Sequence, residues 1–284
     1  MTEKSGFRRF AIITVFFWIT VFVFFPNLLV LIASFLKRDE FLLISPVFTL
    51  ESYFKFSEPM FFEIFSDSFK EAFIATFFCL LIAYPFAYLL AKVRKKIRRL
   101  LLILVIIPFW TSSLIRTYSL IILFKANGLI NMTLEYLGLI HEPLEILYTQ
   151  TAVFFGLVYT LLPFMILPLY ASIEKLDKRL IEAAYDLGAS PAQIFGQVIM
   201  PMTMPGIIAG CTMVFIPALG LFYIPDLLGG AKSLMIGNFI KNQFLTARDW
   251  PFGSAASVIL TLIMGVCLYA YYLSLKRFNA SLME

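Results

Sequence analysis

Six long runs of apolar residues dominate this sequence, and each is long enough to cross a lipid bilayer as a helix. A membrane-spanning helix needs about 20 mostly apolar residues. The runs that meet this length are Phe10–Leu36, Phe69–Ala91, Leu100–Phe124, Tyr148–Ile173, Met202–Pro225 and Gly253–Leu275. Hydrophobic residues make up 61% of the chain and charged residues 14%, whereas soluble domains have about 45–50% and about 25%. The sequence therefore predicts an all-α integral membrane protein built as a bundle of six transmembrane helices.

The lysine and arginine residues between the runs predict which ends of the helices face the cytoplasm. Cytoplasmic loops carry an excess of these cations. With the N-terminus inside, the inside segments hold fourteen Lys and Arg residues and the outside loops hold seven. The strongest contribution comes from Lys92–Arg99, a short basic segment directly between two runs. We therefore expect a multi-pass protein whose N- and C-termini are both cytoplasmic.

Patterns typical of nucleotide and metal sites are absent from the sequence. Neither G-x-x-x-x-G-K-[ST] nor G-x-G-x-x-G occurs, so the chain lacks these phosphate-binding loops. The single histidine, His141, has no second histidine or cysteine beside it, and a zinc site needs several such ligands. Cys79, Cys211 and Cys267 lie inside apolar runs and are interpreted as buried apolar residues. We expect no catalytic residues, no metal site and no cofactor bound by this chain itself.

The segment between the fourth and fifth runs, Ser172–Met200, has the pattern of a helical hairpin. Apolar residues recur there at helical spacing and predict one apolar face, made of Leu176, Leu180, Ala183, Ala184 and Leu187. Gly188 follows as a helix stop. Ser190 has the pattern of an N-cap, with Pro191 at the first helical position and Gln193 closing a capping box. We predict two short helices that turn at Gly188, whose apolar face either contacts a separate protein or folds back on the membrane bundle.

The same segment resembles the coupling loop of ABC importer permeases, the type I family with a Glu-Ala-Ala motif. The family pattern is Glu-Ala-Ala, three residues, Gly, nine residues and then Ile-x-Leu-Pro; here it stands as Glu182-Ala183-Ala184, Gly188 and Val198-Ile199-Met200-Pro201. Val198 and Met200 are mild apolar departures from that pattern. Further segments, such as Pro108–Arg116 and Arg248–Gly253, resemble the polyamine permeases of this family.

The resemblance implies how the chain is organised. The permease core covers residues 66–275. An N-terminal transmembrane helix and a first periplasmic loop precede it at residues 1–65, and a cytoplasmic tail follows at 276–284.

The resemblance also implies partners in the bacterial inner membrane. ATP and Mg are bound by a separate ATPase subunit, present in two copies, and the hairpin docks on it through Glu182, Ala183, Ala184, Gly188 and Pro201. A second homologous permease subunit, a periplasmic substrate-binding protein and the lipid bilayer complete the set, without nucleic acid. By this resemblance ATP drives alternating access, and the substrate is a polyamine, spermidine or putrescine.

Carboxylate and aromatic side chains near the outer ends of the runs are candidates for a polyamine path. Carboxylates attract the cationic substrate, and aromatic faces bind cations through their π electrons. The candidates are Asp67, Glu71, Trp110, Tyr159, Tyr223 and Asp226. Asp67 could instead pair with Lys70, Asp226 could only end a helix, and Tyr and Trp are enriched at membrane interfaces. Arg116 would repel a cation, so we expect it to face an acidic residue on a neighbouring helix or to extend outward.

Three other functions compete with polyamine import. A permease of the same mechanism could carry another small solute or an anion, and the positive charge of Arg116 keeps that alternative open. A secondary transporter would need no ATPase, but the chain lacks two matching halves with broken helices. A membrane-embedded enzyme would need histidines or paired carboxylates at depth, which the sequence does not contain.

Overall fold

The computed structural model describes residues 3–39, 41, 43–230 and 233–281, most of which are helical. Lys232, counted above among the outside cations, and residues 282–284 of the predicted tail lie outside this set. The chain forms two compact units. The first holds the residues up to Glu63 together with Phe239–Ile263, and the second holds Ile64–Asn238 together with the residues from Met264 onward.

One long apolar helix opens the first unit. Its parts follow one another without a gap: α1 (Glu3–Ile19), a π turn (Thr20–Phe24) and α2 (Phe25–Ala33). The predicted run extended to Leu36, but the helix ends at Ala33. The hydroxyl of Ser34 donates to the Leu31 carbonyl at 2.6 Å and lies 2.8 Å from the Tyr53 hydroxyl. The chain therefore leaves the helix three residues earlier than predicted.

A short β-hairpin follows, where the sequence predicted only a loop. Strands β1 (Leu36–Asp39) and β2 (Leu43–Phe48) pair antiparallel, with Arg38 opposite Ile44. Helix α3 (Glu51–Phe54) and a 3₁₀ turn (Lys55–Ser57) complete the segment. The all-α prediction thus holds for the membrane helices and misses this small sheet.

Asp249 is a buried acidic residue of the first unit that lies between two cations. Its Oδ2 atom is 3.6 Å from Arg38 Nη1 and 3.6 Å from Lys55 Nζ. Its Oδ1 atom accepts a hydrogen bond from the backbone N–H of Phe252 at 3.1 Å, which caps the helix that begins at Trp250. The carboxylate therefore joins the β-hairpin and the 3₁₀ turn to the start of the last helix.

The remaining elements belong wholly or partly to the second unit. In chain order they are α4 (Pro59–Lys92), α5 (Lys95–Ile106), a 3₁₀ turn (Ile107–Trp110), α6 (Ser113–Phe124), α7 (Leu129–Tyr136), α8 (Gln150–Glu174), α9 (Lys178–Asp186), α10 (Pro191–Ile194), a π turn (Phe195–Ile199), α11 (Met200–Gly220), a second π turn (Pro225–Gly229), α12 (Ile236–Leu245) and α13 (Trp250–Ser281).

Helix α8 forms the centre of the second unit. Its fully buried side chains include Leu157, Leu161 and Leu169, which lie four or eight residues apart on one face. Helix α11 packs closely against α8. A Cβ atom at Gly206 of α11 would approach the Pro168 carbonyl of α8 to 2.9 Å, so a larger residue at this position would force the two helices apart.

The third predicted run, Leu100–Phe124, is not a continuous helix, so this part of the prediction is wrong. The helix tightens into the 3₁₀ turn at Ile107–Trp110 and then breaks, because Thr111 and Ser112 adopt extended backbone angles. Pro108 has no N–H to continue an α-helical hydrogen-bond ladder. The corresponding candidate span is instead Ser113–Tyr136, made of α6 and α7.

Six segments of the described chain are long and apolar enough to cross a membrane, as predicted. They are Arg9–Ala33, Pro59–Lys92, Ser113–Tyr136, Gln150–Glu174, Pro191–Gly220 and Trp250–Lys276. The main differences from the predicted runs are the shift of the third span and an earlier start of the second and fifth spans.

Candidate functional site

The first arm of the predicted hairpin is helix α9. The side chain of Asp177 caps it by accepting a hydrogen bond from the N–H of Arg179 at 3.0 Å. Glu182 and Ala183 are exposed on this helix, and Ala184 is partly buried. The first predicted helix of the hairpin is therefore confirmed, with its Glu-Ala-Ala motif in the second half.

Gly188 ends the first arm, as the sequence predicts. Its φ angle is +79°, in the left-handed region that favours glycine. Its N–H donates to the Tyr185 carbonyl at 2.9 Å, and the N–H of Ala189 donates to the Ala184 carbonyl at 3.0 Å. These two bonds form a Schellman motif, which satisfies the last carbonyl groups of the helix.

The second arm begins as predicted and then differs from the prediction. Ser190 and Gln193 form the capping box: the Ser190 N–H donates to Gln193 Oε1 at 2.8 Å, and the Gln193 N–H donates to Ser190 Oγ at 3.4 Å. The prediction of a short second helix separate from a span beginning at Met202 is wrong, because one helix covers Pro191–Gly220. Pro201 lies inside it, two residues after the end of the π turn. Since proline has no N–H, the regular ladder cannot continue there.

Large side chains of the hairpin project from the chain. Leu180 is 44% exposed, Tyr185 53% and Leu187 88%. These three residues, with Glu182 and Ala183 between them, are called the hairpin surface below. A hairpin that folded back on its own bundle would bury such side chains, so the exposed hairpin surface favours contact with another protein.

Two contacts that sequence reasoning missed lie near the base of the hairpin. Arg98 Nη1 of α5 is 3.0 Å from Glu174 Oε1 at the end of α8. The hydroxyls of Tyr84 on α4 and Thr203 on α11 are 2.9 Å apart. Arg98 belongs to the basic segment interpreted only as a marker of orientation, and no local pattern links residues so far apart in sequence.

The six candidates for the substrate path lie on several elements of the second unit. Asp67 and Glu71 are one turn apart near the start of α4, Trp110 ends the 3₁₀ turn, Tyr159 lies on α8, Tyr223 precedes the second π turn and Asp226 lies within it. Asp67 Oδ1 accepts a hydrogen bond from Lys70 Nζ at 3.0 Å, which is the alternative pairing considered above. Trp110 is 82% exposed, and Asp226 already interacts within the chain. The role of these residues in transport stays a prediction.

Arg116 does not lie where the sequence predicted. Its Nε and Nη1 atoms are buried and have no hydrogen-bond partner among the residues that the structure describes. The guanidinium group instead lies over the ring of Phe109, 6.0 Å from its centroid. Through these two atoms Arg116 therefore neither faces an acidic residue nor extends outward.

Metal ligands are not grouped in the described part of the chain. Within it, no three His, Cys, Asp or Glu side chains are placed to hold an ion.

Six apolar helices with a capped, exposed hairpin between the fourth and fifth spans are the architecture expected of an importer permease. The model of the family described as "binding-protein-dependent transport system inner membrane component" matches residues 83–282, and the chain belongs to this family. The family expected from the motif at Glu182–Pro201 is thereby confirmed.

The relatives that match over nearly the whole chain include two that are both named spermidine/putrescine transport system permease protein PotB. The protein of Salmonella typhimurium strain LT2 is 51% identical over 279 residues, covering 98% of this chain and 97% of the relative. That of Escherichia coli strain K12 is 53% identical over 268 residues, covering 94% and 98%. A solved bacterial ABC transporter for import of the acidic polysaccharide alginate has the same fold, with a TM-score of 0.79, 16% identity and 96% coverage of both chains.

Proposed function

We propose that this chain is the permease subunit of an ABC importer that moves spermidine and putrescine from a periplasmic binding protein into the cytoplasm. The observation that carries the substrate is identity above 50% to PotB over 94% or more of the chain. The solved alginate importer, at 16% identity, supports the fold alone and says nothing of the solute.

The hairpin surface supports the proposed coupling to a separate ATPase. In this proposal the ATPase binds ATP and Mg, two copies of it serve one transporter, and Glu182, Ala183 and Ala184 lie in the contact. Leu180 and Leu187 supply exposed apolar area on the same arm, which a groove on a partner protein would bury. Gly188 fixes the angle between the arms. Because the second arm continues into α11, movement of the ATPase would reach the fifth span directly.

The remaining partners follow from the family. We propose that a second, homologous permease subunit completes the translocation path, and that a periplasmic binding protein delivers the substrate. Alternating access of the paired bundles would then be a rigid-body change coupled to ATP binding and hydrolysis. Both termini and the hairpin would face the cytoplasm, as the distribution of Lys and Arg predicts.

Acidic and aromatic side chains on α4 and near the second π turn are the proposed contacts of the polyamine. Asp67, Glu71 and Asp226 would attract its ammonium groups, and Tyr223 would offer an aromatic face. The ion pair of Asp67 with Lys70 is exposed, and exposed pairs contribute only about 0–1 kcal/mol. A polyamine ammonium group could therefore replace Lys70 at little cost.

An anionic or other small solute is the second candidate, and Arg116 is the observation that favours it. A guanidinium group with two buried nitrogen atoms that no described residue hydrogen-bonds would suit an anion better than a polyamine. The identity above 50% to PotB leads us to prefer the polyamine.

Reconstitution of the complete transporter tests both candidates. The chain would be purified with the subunits that co-purify with it, placed in proteoliposomes, and supplied with binding protein loaded with spermidine, putrescine, sulfate or a neutral amino acid. The proposal expects ATP hydrolysis and uptake to rise with the two polyamines. Stimulation by sulfate alone would refute polyamine import, and uptake without ATP would indicate a secondary transporter.

A further inference from the structure

The ion pair between Arg98 and Glu174 joins α5, the helix that precedes the third span, to the base of the hairpin. Glu174 is the last residue of α8 and lies three residues before Asp177, the cap of α9. Arg98 lies in the second turn of α5. The two side chains meet at 3.0 Å.

Arg98 differs from the other cations of its basic segment. Its side chain is only 19% exposed, whereas those around it are classed as exposed: Lys92, Arg94, Lys95, Lys96 and Arg99. A cation that only sets membrane orientation needs no particular contact. The partial burial and short distance of Arg98 therefore indicate a second role.

Neither charge of the pair is placed to stabilise its own helix. A cation near the start of a helix and an anion at its end both oppose the helix dipole. Arg98 is near the start of α5 and Glu174 is at the end of α8. The placement is unfavourable for Glu174 at the last residue of α8, and the contact with Arg98 offsets it.

Helix α5 has little packing of its own to hold it. None of its residues is buried, and several of its apolar side chains are exposed, including Leu100, Ile103 and Leu104. A charged hydrogen bond between Arg and a carboxylate has a defined geometry. The Arg98–Glu174 pair can therefore fix the position of α5 more than its apolar contacts do.

We propose that Arg98 and Glu174 are positioning residues that tie α5, and through it the third span, to the hairpin. This inference rests on the proposed coupling role of the hairpin. A displacement of α9 passes to Glu174 through the short link Lys175–Asp177, and the ion pair passes it on to α5. From there the 3₁₀ turn at Ile107–Trp110 leads into α6, so two spans besides α11 would respond to the ATPase: the fourth through α8, and the third through this pair.

The test compares uptake of labelled spermidine per ATP hydrolysed in the complete reconstituted transporter. Arg98→Ala and Glu174→Ala should each lower this ratio about three- to tenfold, as expected for a partly exposed ion pair with a directed hydrogen bond, while ATP hydrolysis persists. The double variant should be no worse than either single one, because the two changes remove the same interaction. The exchange Arg98→Glu with Glu174→Arg should recover much of the ratio. Glu174→Gln, which keeps the size and hydrogen bonding of the side chain and removes its charge, replaces Glu174→Ala if the alanine variant fails to accumulate.

Arg99→Ala is the matched control, since it removes a cation of the same segment that is exposed. It should leave the ratio unchanged. Additive losses in the double variant, no recovery in the exchange, or an equal loss with Arg99→Ala would overturn the proposal. Gly188→Pro, measured in parallel, separates the role of the ion pair from the coupling role of the hairpin. If Gly188→Pro lowers the ratio and the Arg98 and Glu174 variants do not, coupling needs the hairpin but not the ion pair. If Gly188→Pro also has no effect, the coupling role of the hairpin itself is refuted.

Discussion

Substitution of Gly188 by alanine should lower uptake per ATP through backbone strain. A Cβ atom placed at Gly188 meets nothing within 4 Å, so Gly188→Ala does not fail because of a clash. The φ angle of +79° costs an ordinary residue about 1–2 kcal/mol. This amount changes the population of the correctly formed turn by about 5- to 30-fold.

The expected order of the variants follows from this strain. Gly188→Asn should stay close to the original protein, because asparagine tolerates the left-handed conformation. Gly188→Ala should lower uptake per ATP by several fold. Gly188→Pro should lower it most, because proline cannot adopt this φ angle and loses the N–H that donates to Tyr185, at a cost of about 3 kcal/mol or more. All three should insert into the membrane normally, as measured by immunoblotting of membrane fractions.

Gly138 offers a closely matched control at the end of α7. Its φ angle is +67°, nothing lies within 4 Å of an added Cβ atom, and it makes the same two Schellman hydrogen bonds, to Glu135 and through Leu139 to Leu134. Gly138→Ala therefore carries the same strain without touching the hairpin. If it lowers uptake per ATP as much as Gly188→Ala, or if Gly188→Pro transports normally, the reasoning from the Gly188 turn is wrong.

Three further predictions concern other parts of the chain. Ser190→Ala removes the capping box and should destabilise the start of the second arm by about 1 kcal/mol, with a smaller loss of uptake per ATP than Gly188→Pro. Glu182→Lys reverses an exposed charge and should lower both uptake and co-purification of the ATPase while thermal stability in detergent stays within about 0.5 kcal/mol; unchanged uptake would contradict its place in the contact. Asp249→Ala removes a helix cap and the partner of Arg38 and Lys55, and should destabilise the protein by about 1–2 kcal/mol, seen as a lower midpoint of thermal unfolding.

Local patterns predicted the hairpin well because its determinants are close together in sequence. The capping box needs only Ser190 and Gln193, and the turn needs only a glycine at position 188 after an amphipathic helix. The boundary of the second arm was missed for the opposite reason. Proline normally marks the edge of a helix, but the π turn at Phe195–Ile199 lets the helix pass through Pro201.

Contacts between distant segments could not be predicted from such patterns. Arg38 donates to the Ala247 carbonyl across 209 positions of sequence, and nothing beside either residue marks the other. The β-hairpin did carry a local signal, since Ile44, Val47 and Phe48 favour strands. Pro46 in the second strand weakens that signal, because proline cannot donate to a ladder.

The length of the helical segment from Pro191 to Gly220 determines how far its end would move if the segment tilted. Its 30 residues have a length of about 45 Å, against a hydrocarbon core of about 30 Å, so about 15 Å of it projects beyond the membrane beside the hairpin turn. If a segment of this length tilts as one body by about 10°, its far end is displaced by about 8 Å. In the proposed mechanism, a small rotation forced on the projecting end would thus be magnified at the other end, which leads to Tyr223 and Asp226, two of the proposed polyamine contacts.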